Sequence, residues 1–275
     1  MQEDIFVIKK NGERELYSDS KVLRSIDRVG IKKELQDQVL AQVHESLKPN
    51  ITTKEIFLTI REHLGKTNKK AELRFNLKDA IFQLGPTGFP FEQYLERIFR
   101  DLGYNCSTDI IMNGECVKHE IDLLLEKDGK KSVVEAKFHN TPGTKTDVQT
   151  SLYTYARFLD VKEKNNISEV WLITNTKLTE DAIVYAQCKG IRAIGWAYPD
   201  EGNLQDVVEN PEHYPITILK DLTREERERL LLNNIILTCD LINTPFNDLV
   251  GKFQIDSGRL QSALEDAQII CGAKH

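Results

Sequence analysis

The hydrophobic and polar positions of the first part of the chain predict a hairpin followed by helices. Two short alternating stretches surround Asn11-Gly12, which predicts a β-hairpin with a two-residue type I′ turn. Helices are expected to begin near Lys21, near Glu34, after the capping-box sequence TTKE at 52–55, and near Lys70. The sequence LGPTGFP, rich in glycine and proline, follows at 84–90 and predicts a boundary, so this domain covers residues 1–84.

The middle part alternates between helical and strand-like periodicity. A helix is expected from about Phe91 to Gly103. Later strands are expected at 104–112, in two arms around Asp128-Gly129, at 169–174 and at 191–196, and helices at 146–160 and 179–189. Antiparallel hairpins followed by a β-α-β arrangement indicate a mixed sheet flanked by helices, over residues 85–200. A turn is expected at Asn113-Gly114.

The last part, residues 201–275, is expected to be a linker and a helical C-terminal domain. The polar stretch after Trp196 contains three prolines, and the pattern becomes helical from about Asp221. These helices fit either a helix-hairpin-helix-like DNA module, although the usual glycine pair is missing, or a helical cap or dimerisation element. The fold class is therefore α/β (α+β), with an N-terminal hairpin plus helices, a central mixed sheet and C-terminal helices.

Composition narrows the class of protein. The 275 residues are 40% hydrophobic, no apolar run is long enough to cross a bilayer, and the N-terminus does not read as a secretory signal. The five cysteines are scattered and form no CxxC pair, so we expect a cytoplasmic protein with reduced thiols, without a zinc site or a disulfide framework. The net charge of −6 provides no global attraction to nucleic acid, so a DNA partner would require a local basic surface.

The hairpin around Asp128-Gly129 carries an unusual set of charges. If that pair forms the turn, facing residues have numbers that sum to about 257, so Asp122 faces Glu135 and Glu120 faces Lys137. All four side chains then share one face. The other face is expected to be core: Ile121, Leu123, Leu125, Val134, Ala136 and Phe138.

Opposed carboxylates repel each other unless a cation lies between them. Mg²⁺ prefers one or two carboxylates together with waters and phosphate oxygens, and a nearby lysine stabilises developing negative charge or orients the attacking water. The pattern therefore indicates metal-assisted hydrolysis of a phosphodiester. The alternative is a solvated face of an edge hairpin with mixed charges. HEIDL does not match HExxH, and we expect His119 to be structural and to point away from the site.

The order of elements and the Asp/Glu-x-Lys set resemble the PD-(D/E)xK nuclease superfamily, and most of all the Mrr-type restriction endonuclease domain, over about Gly85 to Trp196. The resemblance implies that Asp122 and Glu135 bind Mg²⁺ or Mn²⁺ and that Lys137 helps to activate water. Ile121 stands where the motif has proline.

Three further residues match this family, and one residue of the hairpin stays open. Glu92 matches a glutamate that the family often adds on its first helix. Gln149 and Tyr153 have the Q-x-x-x-Y spacing of some branches, with a polar helix face as the alternative. Glu120 is either a second metal ligand or an ion-pair partner of Lys137.

The first hairpin resembles the ATP-cone, the nucleotide-sensing module of ribonucleotide reductases and of a related transcriptional repressor. The pattern V-x-K-R-x-G-x-x-E is matched from Val7 to Glu15, with Lys10 in place of arginine. The resemblance implies binding of ATP or dATP, in which Lys9, Lys10 and Lys21 contact phosphates and Val7 and Glu15 help to form the pocket. The alternative is a basic exposed hairpin. Gly65-Lys66-Thr67 is not a Walker A loop, because isoleucine stands at position 60.

The whole chain resembles a bacterial family in which an ATP-cone precedes an Mrr-like nuclease domain. It implies a Mg²⁺- or Mn²⁺-dependent DNA endonuclease regulated by ATP or dATP, without a membrane partner. Two alternatives remain open, a nucleotide-controlled DNA-binding regulator with a silent site and a nuclease that acts on RNA. A homodimer or higher oligomer is expected, because cutting both strands suggests a dimer. The expected catalytic residues are Asp122, Glu135, Lys137, Glu92 and Gln149.

Overall fold

The protein is described here from a computed structural model that covers residues 5–10, 12–85, 87–209 and 213–271. The chain divides into two compact units, one ending at Lys78 and one beginning at Asp79. Within the described ranges, no helix has the length and apolar character required to cross a membrane.

The first unit is a small three-stranded sheet with helices. Its elements are β1 (Phe6–Ile8), β2 (Arg14–Leu16), α1 (Asp19–Asp27), α2 (Lys33–Ser46), β3 (Ile51–Thr52), α3 (Thr53–Thr67) and α4 (Lys69–Phe75), and α5 (Leu77–Phe82) follows. The strand order is β2-β1-β3, with β2 antiparallel and β3 parallel to β1. The expected capping box forms, because Thr52 accepts the Glu55 N–H at 3.1 Å and Glu55 accepts the Thr52 N–H at 2.8 Å.

Two sequence-based expectations for this unit are wrong, and one short strand was not predicted. Ile8 pairs with Arg14, so an odd number of residues joins the strands and the two-residue turn at Asn11-Gly12 is excluded. Asn11 itself lies outside the described residues. The short strand β3 was not predicted, because two residues carry no periodicity. The expected fourth helix is two helices, separated at Asn76, whose Nδ2 donates to the Glu72 carbonyl at 2.7 Å.

The second unit contains the larger sheet. Its elements are α6 (Phe89–Asp101), β4 (Asn105–Asn113), β5 (Lys118–Lys127), β6 (Lys130–Lys137), β7 (Lys145–Thr146), α7 (Val148–Asn165), β8 (Glu169–Thr174), β9 (Lys177–Leu178), α8 (Glu180–Lys189), β10 (Arg192–Ile194), α9 (Leu204–Val208), a 3-10 turn (Ile216–Ile218), α10 (Arg224–Leu232), α11 (Thr238–Asn243), α12 (Phe246–Gly251) and α13 (Ser257–Cys271).

The mixed sheet flanked by helices is confirmed. The strand order is β10-β8-β6-β5-β4, with β6, β8 and β10 parallel and β4 and β5 antiparallel additions. Successive residues of β8 point to opposite faces. Trp171 packs edge-on against Phe99 of α6, whereas Val170 and Leu172 share a buried cluster with Val161 of α7. Helix α6 therefore covers one face, and α7 with α8 covers the other.

The strand pairing around Asp128-Gly129 has the predicted register, but it stops early. Leu123 pairs with Val134 and Lys127 with Lys130, so the pairs sum to 257. Between the described residues of β5 and β6, no ladder pair is found beyond Leu123–Val134, whereas β6 stays paired with β8 as far as Lys137. The two strands therefore separate where Asp122 and Glu135 lie. The turn expected at Asn113-Gly114 is instead a longer connection over 114–117.

The stretch after Trp196, which is expected to be a linker, is buried over part of its length. Five apolar side chains of this stretch are almost fully buried: Tyr214, Ile216, Ile218, Leu219 and Leu222. The hydroxyl of Tyr94 on α6 donates to the His213 carbonyl at 2.8 Å, and Arg97 pairs with Asp240 at 2.8 Å. The C-terminal helices therefore pack on the unit that carries the large sheet.

The expectation of reduced thiols is wrong for one pair of cysteines. Cys239 of α11 and Cys271 of α13 form a disulfide, whereas Cys106, Cys116 and Cys188 are free. Spacing alone did not indicate it, because 32 positions separate the two residues and packing of α11 on α13 brings them together.

Candidate active site

The candidate site lies where β5 and β6 separate. The carboxylate of Asp122 accepts the N–H of Ala136 at 2.7 Å through Oδ2. A side chain therefore satisfies a backbone donor of β6 that is no longer paired with β5. This bond holds the acid of one strand beside Glu135 of the next.

Arg157 on α7 lies between the two acids. Its Nη1 donates to Glu135 Oε2 at 2.7 Å and lies 3.8 Å from Asp122 Oδ1. Its Nη2 donates to the Tyr153 hydroxyl, and the guanidinium lies 4.4 Å from the centre of the Tyr153 ring. Its Nε is buried and has no hydrogen-bond partner among the described atoms. Arg157 is not among the residues predicted from the sequence, although it follows Gln149 and Tyr153 at helical spacing and so faces the same way.

The acids of this site hold their protons more tightly than usual. Burial and the charge of Asp122 raise the pKa of Glu135 to about 7, against the opposing effect of Arg157 and Lys137. Burial also raises the pKa of Asp122, although the Ala136 N–H and Arg157 favour its charged form. Burial first, and then the charge of Asp122, raises the pKa of Glu92 to about 7. Glu92 therefore lies within electrostatic reach of the strand acids.

A further acid, Asp109, belongs to this group and was not predicted. The β4–β5 register places it opposite Asp122, although the two do not form a ladder pair. Its backbone has a φ of 52°, an uncommon conformation for a residue other than glycine. Its charge contributes to the raised pKa values of both Glu92 and Asp122.

Three predicted residues lie at the edge of the site. Lys137 is exposed at the end of β6, where it pairs with Thr174 of β8. Glu120 is exposed and faces Ile111 of β4, and no ion pair within the described ranges joins it to Lys137. Gln149 is exposed in the first turn of α7, and the structure describes no hydrogen bond from it to the acids. The break in the β4–β5 pairing at Asp122 accounts for the position of Glu120, because it ends the alternation on which its shared face with Lys137 depended.

The side chains of His119 and Ile121 also lie on a different face of the sheet from the one that strict alternation along β5 predicts. His119 Nε2 lies 2.7 Å from Asp160 Oδ2 on α7, so it does not point away from the face that α7 covers. Ile121 is buried as predicted, but in the cluster that contains Val133 and Val161. The interruption at Asp109 and Asp122 explains both.

The carboxylates of the site are compatible with binding of a divalent cation. Among the described residues, no group of three or more His, Cys, Asp or Glu side chains is arranged to hold a metal ion. Mg²⁺ needs only one or two carboxylates when waters and phosphate complete its shell. Asp122 and Glu135 supply two carboxylates that already share a cationic partner, Arg157. These two residues would hold the metal.

Two of the predicted nucleotide residues, Lys9 and Lys21, lie beside a third, Glu15, in the first unit. Lys9 Nζ and Lys21 Nζ lie 3.0 and 2.7 Å from Glu15 Oε2, which raises the pKa of Lys9 and lowers that of Glu15. Val7 is buried in the core, and Lys10 is exposed. Two cations, Lys9 just after β1 and Lys21 on α1, thus converge on the same carboxylate.

Comparison with known proteins identifies three regions. The ATP cone domain family matches residues 5–78, the restriction endonuclease family of the Mrr catalytic type matches residues 86–196, and the AF1548-like C-terminal family matches residues 214–271.

Two relatives resemble a large part of the chain. An uncharacterized protein of Archaeoglobus fulgidus is 38% identical over 178 residues, which are 65% of this chain and 100% of that protein. The crystal structure of AF1548, a protein of unknown function, has a TM-score of 0.59 and 31% identity, covering 68% of this chain and 100% of that one. The expected fusion of an ATP-cone with an Mrr-like domain is confirmed. The chain belongs to the AF1548-like family and joins an ATP-cone domain to a restriction-endonuclease domain and the AF1548-like C-terminal domain.

Proposed function

We propose that the protein is a Mg²⁺- or Mn²⁺-dependent DNA endonuclease that ATP or dATP regulates through the first unit. The observation that carries the proposal is the pair Asp122 and Glu135, held together by Arg157 where β5 and β6 separate. The match to the restriction endonuclease family supports it. We also propose the division into domains over 1–84, 85–200 and 201–275.

The residues would divide the chemistry as follows. Asp122 and Glu135 would hold the cation, which when bound supplies Lewis acidity and lowers the pKa of its water. Lys137 lies at the exposed end of β6, two positions beyond Glu135, where its ammonium group would stabilise charge on the phosphate being attacked. Glu92 has a pKa of about 7, so its carboxyl group would exchange protons near neutral pH. Gln149 would orient the substrate from the first turn of α7.

Cleavage of supercoiled plasmid tests this proposal. Asp122→Asn should lower the rate with Mg²⁺ or Mn²⁺ by about a hundredfold or more. Asp128→Asn is the matched control, since it makes the same change in the exposed turn of the same hairpin, at a φ of 51° that asparagine tolerates. Undiminished cleavage by the Asp122 variant would contradict the assignment. Linear DNA and RNA substrates, assayed in parallel, establish the substrate class.

Nucleotide binding is tested separately. Lys21→Ala removes a cation that lies 2.7 Å from Glu15, and should weaken ATP or dATP binding by about tenfold or more. Lys33→Ala is the control, because Lys33 pairs with Asp37 on the surface of the same unit. Calorimetry measures the affinity, and light scattering with and without nucleotide tests the proposed homodimer or higher oligomer. Equal affinity in all three proteins would contradict the assigned nucleotide site.

A second candidate function is a nucleotide-controlled DNA-binding regulator with a silent nuclease fold. It is favoured by the guanidinium of Arg157, which fills the space between the acids. This function predicts ATP and DNA binding without strand cleavage in either metal. The plasmid assay with wild-type protein therefore separates the two functions.

A further inference from the structure

We propose that Arg157 is an internal substitute for the divalent cation: it neutralises Asp122 and Glu135 in the metal-free protein and leaves them when the metal binds. This proposal rests on the proposed function, since it assumes that these two acids bind a divalent cation. It assigns Arg157 as a positioning residue, which sets both the geometry of the empty acid pair and its affinity for metal.

The position of the guanidinium carries the proposal. One nitrogen, Nη1, faces both acids, at 2.7 Å from Glu135 Oε2 and 3.8 Å from Asp122 Oδ1. A cation that bridged the two carboxylates would have to occupy the same space. The arginine and the metal therefore exclude each other on steric and electrostatic grounds, and their binding is competitive.

The surroundings of Arg157 favour release over permanent pairing. A structural arginine in a buried ion pair usually has its donors satisfied, but Nε of Arg157 is buried and has no hydrogen-bond partner among the residues that the structure describes. Within the described part of the chain, Nη1 bonds to the carboxylate of Glu135, whereas Nη2 bonds to the hydroxyl of Tyr153. The unpaired Nε–H disfavours the closed position, in which Arg157 lies between the two acids. A divalent ion also attracts the acids more strongly than one guanidinium nitrogen does.

Tyr153 offers the released guanidinium another place. The guanidinium already lies 4.4 Å from the centre of this ring, and the Tyr153 side chain is about half exposed. A rotation of the Arg157 side chain would slide the guanidinium along the ring towards solvent. There its paired N–H groups would fit the oxygens of a DNA phosphate.

A purely structural role predicts the opposite effect on metal binding. If Arg157 only held the acids in place, its removal would let Asp122 and Glu135 repel each other and would weaken metal binding. If it competes with the metal, its removal strengthens metal binding. The direction of the change in affinity therefore separates the two roles.

The test is calorimetric titration of Mn²⁺ into the full-length protein without DNA. Arg157→Gln should bind Mn²⁺ about tenfold more tightly, because apparent affinity falls with the fraction of molecules that are competent to bind. Arg100→Gln is the control, since it removes the same charge from an exposed arginine that pairs with Glu96 on α6, and its affinity should match the wild type.

Equal or weaker binding by Arg157→Gln, in a wild type that binds Mn²⁺, would overturn this proposal and leave the proposed metal site intact. Absence of Mn²⁺ binding in all three proteins would overturn both. If Arg157→Gln binds Mn²⁺ but the wild type and Arg100→Gln do not, the result would support the proposal, because Arg157 would then exclude the metal completely.

Labelling of the wild-type protein decides the question if the variant fails to fold. Phenylglyoxal modifies accessible arginines, and peptide mass analysis reports each site. Mn²⁺ should increase the labelling of Arg157, whose side chain is only 13% exposed in the closed position, and should leave that of Arg100 unchanged. Unchanged or reduced labelling of Arg157 at saturating Mn²⁺ would show that it stays between the acids.

Discussion

At the scale of single residues, the carboxyl groups around β5 and β6 lower the stability of the folded protein when they are charged, at the place where the proposed reaction needs them. Glu92 illustrates this, because its neighbours are mostly acids and the structure describes no hydrogen bond or ion pair for its carboxylate. Its pKa is about 7 in the folded protein and about 4.5 when unfolded. The folded state therefore binds the proton more tightly, and this group's contribution to stability falls as the pH rises from about 4.5 to about 7.

Replacing Glu92 by glutamine should stabilise the metal-free protein at about pH 8. The expected gain in the free energy of unfolding is about 1–2 kcal/mol, after allowance for solvent screening of a partly exposed group. Urea unfolding measures it. At about pH 4 the gain should vanish, because the carboxyl is then protonated in both states. A gain that is equal at both pH values would contradict the role of the charge.

The same acids make metal binding depend on pH. Glu135 must lose its proton to bind a cation, and its pKa is about 7. The apparent affinity for Mn²⁺ should therefore increase by about tenfold between pH 6 and pH 8. Calorimetry at the two pH values measures the change. Glu135→Gln should lose most of this dependence, and a dependence that survives in that variant would assign it to another group.

At the scale of elements, α7 is the part that organises the site. Its N-terminus is capped by Asp147, and three turns later Arg157 reaches the strand acids. One turn further, Asp160 accepts the N–H groups of Cys116 and Val117, at 2.8 and 3.3 Å, and contacts His119. One helix thus joins the acids of β5 and β6 to the connection between β4 and β5.

Gly114 is where this arrangement leaves no room for a side chain. A Cβ at this position would lie 1.9 Å from Asp160 Oδ2 and 2.5 Å from the Val117 carbonyl oxygen. Gly114→Ala should therefore lower the free energy of unfolding by about 1–3 kcal/mol. Gly251→Ala is the control, because a Cβ there meets nothing within 4 Å, and it should cause no loss. Equal stability of the two variants in urea would contradict the tight contact.

At the scale of the whole molecule, the C-terminal helices are part of the unit that carries the site. Tyr94 and Arg97, on the helix that also carries Glu92, contact His213 and Asp240 of the C-terminal segment. A disulfide within that segment closes a long loop between α11 and α13. Covalent closure stabilises mainly by restricting the unfolded chain.

Cys239→Ser should therefore destabilise this unit in the oxidised protein. A loop with a sequence separation of 32 predicts a loss of about 3–4 kcal/mol in the chain-entropy treatment. Unfolding in denaturant measures this loss. Added reductant should lower the free energy of unfolding of the wild type to that of the variant. Cys188→Ser, at an exposed free thiol, should have no effect. A wild type insensitive to reductant would contradict the contribution of the disulfide.

The sequence by itself determined the features that depend on neighbouring residues. The capping box of Thr52 and Glu55, the helix beginning after Thr179, the strand Glu169–Thr174 and the register around Asp128-Gly129 all follow from side chains close along the chain. The proximity of Asp122 to Glu135 was also within reach, because turn position and strand periodicity bring the two acids to neighbouring strands.

Only the tertiary structure decided the rest, since those features depend on contacts between distant segments. Arg157 lies in the site because α7 packs across β5 and β6, and local periodicity says nothing about which way that helix is turned. Asp109 joins the acids because β4 pairs beside β5. The loss of alternation at Asp122, the burial of the stretch after Trp196 and the Cys239–Cys271 bond likewise follow from packing. The charged hairpin could be predicted from the sequence, but the arginine that lies between its two acids could not.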